Sequence, residues 1–256
     1  MTPTAPEPRV GFLIGGVQKA GTSALARYLA AHPCLRLPTD KEAHVFDATD
    51  FVDDWTPAQV DQRYASLFEA GTGDALLGDA TPFYLVHPRV VARIARYNPD
   101  MRWIVLLRDP VERALSHFHM ERRRGTEHWP LWPALLLERW RLRGHHDDLR
   151  RSSPLRRHGY RRRGDYARQL DVLYAHFPRA QVLLLRSERL REQPAACVRE
   201  ACAFLGVEPP AAEAAYPRVF VGDYPPPGRW TRGLLRWLLR HQRRALSDRY
   251  GIAFDP

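Results

Sequence analysis

Residues Val10–Gly16, VGFLIGG, form an unbroken apolar run closed by two glycines, and TSALARYLAAHP follows with apolar residues at helical spacing until Pro33. A run of this kind reads as a strand buried on both faces, as in the interior of a parallel sheet. Strand, glycine loop and helix in succession point the chain towards an α/β architecture. They also set a helix N-terminus at the end of a strand, where free N–H groups and the helix dipole favour an anion. An ordinary βα turn with a chance glycine is the alternative.

Three further apolar runs read as strands: ALLGDA (75–80), RWIVLLRD (102–109) and QVLLLRS (181–187). Helical patterns fall between them at 57–69, 88–97, 111–124, 129–143, 165–177 and 194–205. Strands alternating with helices predict a parallel sheet with ligands gathered at the carboxyl ends of its strands. At 256 residues one domain is expected. Residues 1–9 read as a tail, 121–164 as an irregular arginine-rich insertion on the acceptor side, and 224–256 as a proline-rich loop, YPPPGRW, followed by a basic helix. That helix, TRGLLRWLLRHQRRAL, is amphipathic. Docking of Leu235, Trp237 and Leu238 on the core is the expected use of its apolar face, with binding to a membrane surface as the alternative.

The loop after the first strand departs from a triphosphate-binding P-loop. Counted from Gly16 it reads G-V-Q-K-A-G-T-S: Gly21, Thr22 and Ser23 are in place, but Lys19 stands two residues before the glycine instead of directly after it. Lys19 and Lys41 are the chain's two lysines, arginine filling every other such position, and the net charge is +10. Lysine is a compact, mobile charge that can give up a proton, so a chemical role for at least one of the pair is expected. The charge itself suggests anionic partners.

WIVLLRDPVERALSHF repeats the strand-to-helix pattern. It brings Arg108 to a strand end and Ser116 about a turn and a half into the next helix, where a guanidinium and a hydroxyl can hold a phosphate. A salt bridge from Arg108 to Asp109 or Glu112 is the plain alternative. Two such loops on one sheet suggest a ligand with two separated phosphates.

Together these segments resemble the sulfotransferases that use 3′-phosphoadenosine 5′-phosphosulfate. GGVQKAGTSAL is similar to the family's 5′-phosphosulfate loop and LLRDPVERALSHF to its 3′-phosphate motif. KEAHVFD (41–47), GDATPFYLVHPRVVARI and RRGDYARQLDVLYAHFPRAQVLLLRSERL resemble segments of the branch that includes heparan sulfate sulfotransferases and bacterial relatives. The resemblance runs in order from about residue 10 to 206. It implies a three-layer α/β/α fold with a central parallel sheet and a P-loop-like phosphosulfate-binding loop. It further implies that Gln18, Lys19, Ala20, Gly21, Thr22 and Ser23 hold the 5′-phosphosulfate, with N–H groups of Ala20 to Ser23 turned to the phosphate. Arg108 and Ser116 would hold the 3′-phosphate. Lys19 would stabilise the leaving oxygen, which explains its displacement, because charge develops there only as the bond breaks. Glu42 would be the base, suited to it if burial raises its pKa towards neutrality, with a surface pair to Lys41 as the other reading. His44 is the fallback base or an acceptor ligand. No metal is expected.

Three departures from the branch stand out. Its second lysine, in G-E-K-[ST]-P, is Ala80 here; its late K-G-R loop is matched only by Pro227-Gly228-Arg229, from which Gly228 and Arg229 are carried over as donor ligands; and the cysteine pair flanking that loop in Golgi members is missing. Cys34, Cys197 and Cys202 have no metal spacing. With no signal-like start and no membrane-length apolar run, a cytoplasmic setting is expected. The expected acceptor is a hydroxyl (an amine as second choice) of a small metabolite, glycoside or saccharide. The arginine-rich stretch can take an anionic acceptor, steer the donor or be a solvated face, and Trp129, Trp132 and Trp140 can line a cleft or fill one helix's core. Two competing classes stay open: a P-loop kinase or nucleotide-binding protein, with Asp79 on Mg²⁺, and a nucleic-acid-binding module. Nucleic acid is not the expected partner, and nothing in the sequence sets the oligomeric state.

Overall fold

The computed structural model describes residues 9–69, 73–210, 215–217 and 228–254. The predicted tail (but for Arg9) and the proline-rich 224–227 lie outside them. All four predicted strands form: β1 (Val10–Gly16), β3 (Leu76–Asp79), β4 (Arg102–Leu107) and β5 (Val182–Arg186), with a two-residue β2 (Leu35–Arg36) in addition. They pair in parallel in the order β2-β3-β1-β4-β5, the central sheet of a three-layer α/β/α fold.

The helices are α1 (Thr22–Ala30), α2 (Pro57–Ala65), α3 (Pro88–Tyr97), α4 (Pro110–Arg123), α5 (Leu131–Leu136), α6 (Glu138–Arg141), α7 (Pro154–His158), α8 (Tyr166–His176), α9 (Ser187–Glu192), α10 (Pro194–Leu205), α11 (Arg229–Leu238) and α12 (Arg240–Tyr250). The described residues fall into two compact units. Unit one comprises those within 1–107 and 172–220, and unit two those within 108–171 and 221–256.

Unit one holds the whole sheet. β1 is its centre because nearly every side chain of the run is buried, on both faces. A Cβ on Gly15 would stand 2.3 Å from the Trp103 ring of β4, so only glycine lets that indole lie flat on the strand. β1 and β4 are neighbours whose connections leave in opposite directions, one towards β2 and the other towards β5. Their carboxyl ends therefore make the switch point at which ligands of open α/β sheets bind. The Val17 N–H donates to the Leu106 carbonyl at 2.7 Å and fixes the loop after β1 to that point.

Unit two has its own core. Val111, Ala114, Leu115 and Phe118 of α4 pack with Ala134, Leu135, Tyr160, Leu235 and Leu239. Full burial of each leucine contributes about 1.5–3 kcal/mol. Its arginine-rich insertion is tied to α4 and to itself. Arg113, fully buried, donates to the Tyr160 carbonyl, and Arg141 pairs with Glu127 at 2.7 Å. The Glu138 carboxylate accepts from the N–H groups of Arg161 and Arg162 at 2.6 and 2.7 Å. Burial of Glu138 outweighs those bonds and raises its pKa to about 8. Among the insertion's arginines, Arg141 is thus internally paired and not part of a solvated face.

Three other expectations are corrected. The 129–143 pattern is two short helices, because Pro130 caps α5, Pro133 sits in its first turn, and Leu137 breaks the run at φ −90°, ψ 9°. Trp129 and Trp132 pack against the core, whereas Trp140 is exposed and stacks on Trp129. The last basic helix bends at Leu239, and of its expected anchors Leu235 is buried, Leu238 packs partly, and Trp237 faces outwards. The short elements β2, α7 and α9 span too few residues to show a period.

Candidate active site

The loop between β1 and α1 turns on two left-handed residues, Lys19 (φ 77°) and Gly21 (φ 99°). Glycine suits the second, but lysine there carries strain of order 1 kcal/mol, which is tolerated where the surroundings demand it. Gly21 is the N-cap of α1 and has no side chain to offer. The Ala20 N–H donates to the Val17 carbonyl at 3.1 Å, which corrects its expected place among the phosphate donors. No protein group among the described residues accepts from the N–H of Gly21, Thr22 or Ser23. These three amides, with the helix dipole behind them, have the chemistry to take an anion.

A strap, residues 41–47, is held by a second segment, 79–84, and both were singled out by their sequence. Three consecutive strap amides are bound by three side chains. Ala43 N–H donates to Asp79 Oδ1 at 3.2 Å, His44 N–H to Thr81 Oγ1 at 3.3 Å, and Val45 N–H to the Tyr84 hydroxyl oxygen at 2.9 Å. Asp79 is fully buried and also accepts from the Thr81 and Tyr64 hydroxyls, at 2.7 and 2.8 Å. Burial raises its pKa despite these bonds. A carboxylate occupied in this way is not placed for Mg²⁺ at the strand end. The Ala80 N–H donates back to the Lys41 carbonyl at 3.3 Å.

The strap presents Glu42 between two cations. Lys41 Nζ lies 2.8 Å from Glu42 Oε1, and His44 Nε2 lies 3.2 Å from Oε2. His44 Nδ1 in turn meets the buried Asp47 at 2.9 Å. Burial alone would raise the Glu42 pKa, but the bonds from His44 and Lys41 outweigh it and bring it down to about 2. Burial likewise works against charge on His44, yet Asp47 and Glu42 push its pKa up to about 9. The expected rise of the Glu42 pKa is therefore corrected: its carboxylate is paired, not merely desolvated. Lys41 (φ 61°) and His44 (φ 53°) are left-handed, so that with Lys19 they are the positive-φ non-glycine residues among those described. Sequence patterns assign no role to Asp47, Thr81 or Tyr84, and to Asp79 only Mg²⁺ binding in the kinase alternative, although all four lie inside the segments quoted above.

Beside His44, a cavity of about 550 Å³ opens against α2, lined by Trp55, Gln59, Gln62, Arg63 and Ser66 among others. The Arg63 guanidinium is already held by Asp50 at 2.7 and 3.1 Å.

In unit two, Arg108 approaches Glu112 at 3.9 Å, the pairing foreseen as the plain alternative, while Glu112 also meets Arg232 at 3.2 Å. Ser116 is buried on α4. Asp109 accepts from the N–H groups of Val111 and Glu112, at 2.8 and 3.1 Å, and so caps α4 itself. Gly228 is the N-cap of α11, and Arg229 is exposed at its start. Gln18–Ser23, Glu42 and His44 thus belong to unit one, and Arg108, Ser116, Gly228 and Arg229 to unit two.

Comparison with known proteins places this arrangement. Heparan sulfate glucosamine 3-O-sulfotransferase 3A1 of Mus musculus is 30% identical over 197 residues, covering 77% of this chain and 45% of its own length. The membrane-associated sulfotransferase kil1 of Dictyostelium discoideum is 36% identical over 111 residues, 42% of this chain and 22% of its own. The chain thus spans about half, or less, of the length of the curated relatives it matches. A sulfotransferase crystal structure from Alicyclobacillus acidocaldarius aligns over 96% of this chain and 97% of that one, with 30% identity and a TM-score of 0.76. Residues 11–215 match the sulfotransferase domain as a family. The chain belongs to the sulfotransferase domain family.

Proposed function

We propose that the protein transfers the sulfuryl group of 3′-phosphoadenosine 5′-phosphosulfate to a hydroxyl of a small metabolite, glycoside or saccharide. The observation that carries the reading is the side-chain-free N-terminus of α1 behind Gly21, with Lys19 in the same loop. The amides of Gly21, Thr22 and Ser23 and the two hydroxyls take the 5′-phosphate, with Gln18 and Ala20 shaping the loop. By the family's pattern, Arg108 and Ser116 would take the 3′-phosphate, and Gly228 and Arg229 are carried over as donor ligands. No metal enters this scheme.

The acceptor oxygen attacks sulfur in line, the bond from sulfur to the bridging phosphate oxygen breaks, and the acceptor proton passes to Glu42. Lys19 stabilises the charge that develops on the departing oxygen, an interaction stronger in the transition state than before it. Glu42 rests as a carboxylate clamped by Lys41 and His44. An acceptor hydroxyl that displaced Lys41 Nζ would remove one of those cations and raise the carboxylate's affinity for the proton. Lys41 is also the cation whose backbone abuts Ala80.

The cavity beside His44 supports a hydroxylated, uncharged acceptor, because amides and a hydroxyl line it and its arginine is neutralised by Asp50. The glucosamine 3-O position by which the heparan sulfate relatives are named is a sugar oxygen of the same chemical kind. Free cysteines fit the cytoplasmic setting taken here.

Calorimetric titration with 3′-phosphoadenosine 5′-phosphate beside ATP with Mg²⁺ tests the reading. Clear binding of the bisphosphate, with ATP weak and indifferent to Mg²⁺, is expected. Tight Mg²⁺-dependent ATP binding without response to the bisphosphate would replace it with the kinase reading.

A further inference from the structure

Helix α11 presents apolar side chains on two sides. At about 100° per residue, Leu235 and the following Leu239 turn into the core of unit two, where neither exceeds 1% exposure. Trp230, Leu234 and Trp237 project within an arc of about 60° on another side, and they are 94%, 49% and 59% exposed. Single exposed apolar residues are ordinary, but three at i, i+4 and i+7 of one ten-residue helix make a patch that needs an explanation.

The charge around the patch selects its occupant. From Gly228 to Ser247 the chain has six arginines and no aspartate or glutamate. Arg229, Arg232 and Arg236 fill a second arc of the helix, and of these Arg232 is partly neutralised by Glu112 at 3.2 Å. Arg240 lies 4.4 Å over the Trp237 ring and donates to the Trp237 carbonyl at 2.8 Å. A second copy docked on this face would set one arginine cluster against another. An anionic lipid surface satisfies both halves of the pattern: indoles settle at headgroup depth, Leu234 reaches the acyl boundary, and guanidinium groups meet lipid phosphates. We propose that α11 is an interfacial helix that seats the protein on an anionic phospholipid surface. No helix among the described residues is long and apolar enough to cross a membrane, so this attachment lies on the surface.

The test is cosedimentation of the full chain with vesicles of phosphatidylcholine alone and of phosphatidylcholine with about a third phosphatidylglycerol. Binding to the mixed vesicles only is expected, with a blue shift of tryptophan emission and a loss of binding in about 0.5 M salt. The double variant Trp230→Ala/Trp237→Ala should weaken partitioning about tenfold or more, with unchanged circular dichroism and Tm. Arg236→Glu/Arg240→Glu should also weaken it while keeping the indoles. Four results would overturn the proposal: no binding to either vesicle; equal binding to both; binding unaffected by the tryptophan pair; or release from mixed vesicles by an oligonucleotide that itself binds through the same two tryptophans. A doubled mass in solution that the tryptophan variant abolishes would also overturn it, in favour of a second copy.

Discussion

Two strand-to-helix junctions in this chain begin from the same plan and are finished differently. After β1, the helix is capped by a left-handed glycine, and its first amides have no protein acceptor among the described residues. After β4, Asp109 folds its own carboxylate onto the amides of Val111 and Glu112. The first junction can bind an anion with backbone and dipole; the second has an anion of its own there, so a bound anion would have to be held by side chains such as Arg108. A strand, a turn and a helix start thus define a place for a ligand, while the residue at the N-cap decides whether the backbone takes part. The resemblance of the two segments as phosphate loops is only partial in this respect.

Several substitutions would break or sharpen that contrast. Lys19→Ala should have the largest effect, lowering turnover, followed as release of the bisphosphate from the phosphosulfate donor, by about 10²–10³-fold. Affinity for the bisphosphate should change little. A loss of affinity with turnover intact would mean that Lys19 is merely a ligand of the ground state. Arg108→Ala should weaken binding of 3′-phosphorylated nucleotides by about 10–100-fold, since charge-assisted bonds contribute about 1.5–3 kcal/mol. Adenosine 5′-phosphosulfate should bind the variant as it binds the wild type; parallel losses would break the assignment of side-chain recognition to the second junction.

A third effect comes from the strap. Because the His44 pKa is raised from 6.5 to about 9, its pairing is fully present below pH 6.5 and is lost as pH rises through about 9. Glu42, lowered from 4.5 to about 2, holds its contribution above pH 4.5 and loses it as pH falls through about 2. Thermal melts should therefore show a decline between pH 6.5 and 9, on the order of 2 kcal/mol, that His44→Gln lacks. A wild-type melting profile flat across that window would contradict the pairing. Asp109→Ala should have the smallest effect, about 1 kcal/mol and about 2–4 °C in Tm. If the variant also gained affinity for inorganic phosphate, the cap would be the whole of the difference between the junctions.

Much of this was legible in the amino-acid order. β1 and the two well-periodic helices α3 and α10 have the predicted bounds, because buried runs and 3.6-residue repeats carry their own signal. The strap and its anchoring segment were visible as two quoted stretches, but their bonding was not: nothing local says that Asp79, Thr81 and Tyr84 supply acceptors to amides some forty residues earlier. The paired state of Glu42 was equally hidden. Its pKa depends on Lys41 and His44 turning the same way, which follows from two left-handed backbone positions that sequence patterns do not report. The outward turn of Trp237 is hidden in the sequence because a helical repeat gives apolar arcs without saying which one meets a core.

The indole of Trp103 lying where Gly15 would carry a Cβ has a consequence for how this chain can diverge. Neither position can drift alone: alanine at 15 meets the ring at 2.3 Å, and a small residue at 103 leaves a hole beneath a strand centre. In a library randomised at both sites, survivors should carry linked changes, a larger residue at 15 only with a smaller one at 103. The strand that delivers the anion loop is thus free to vary in pairs and frozen one letter at a time.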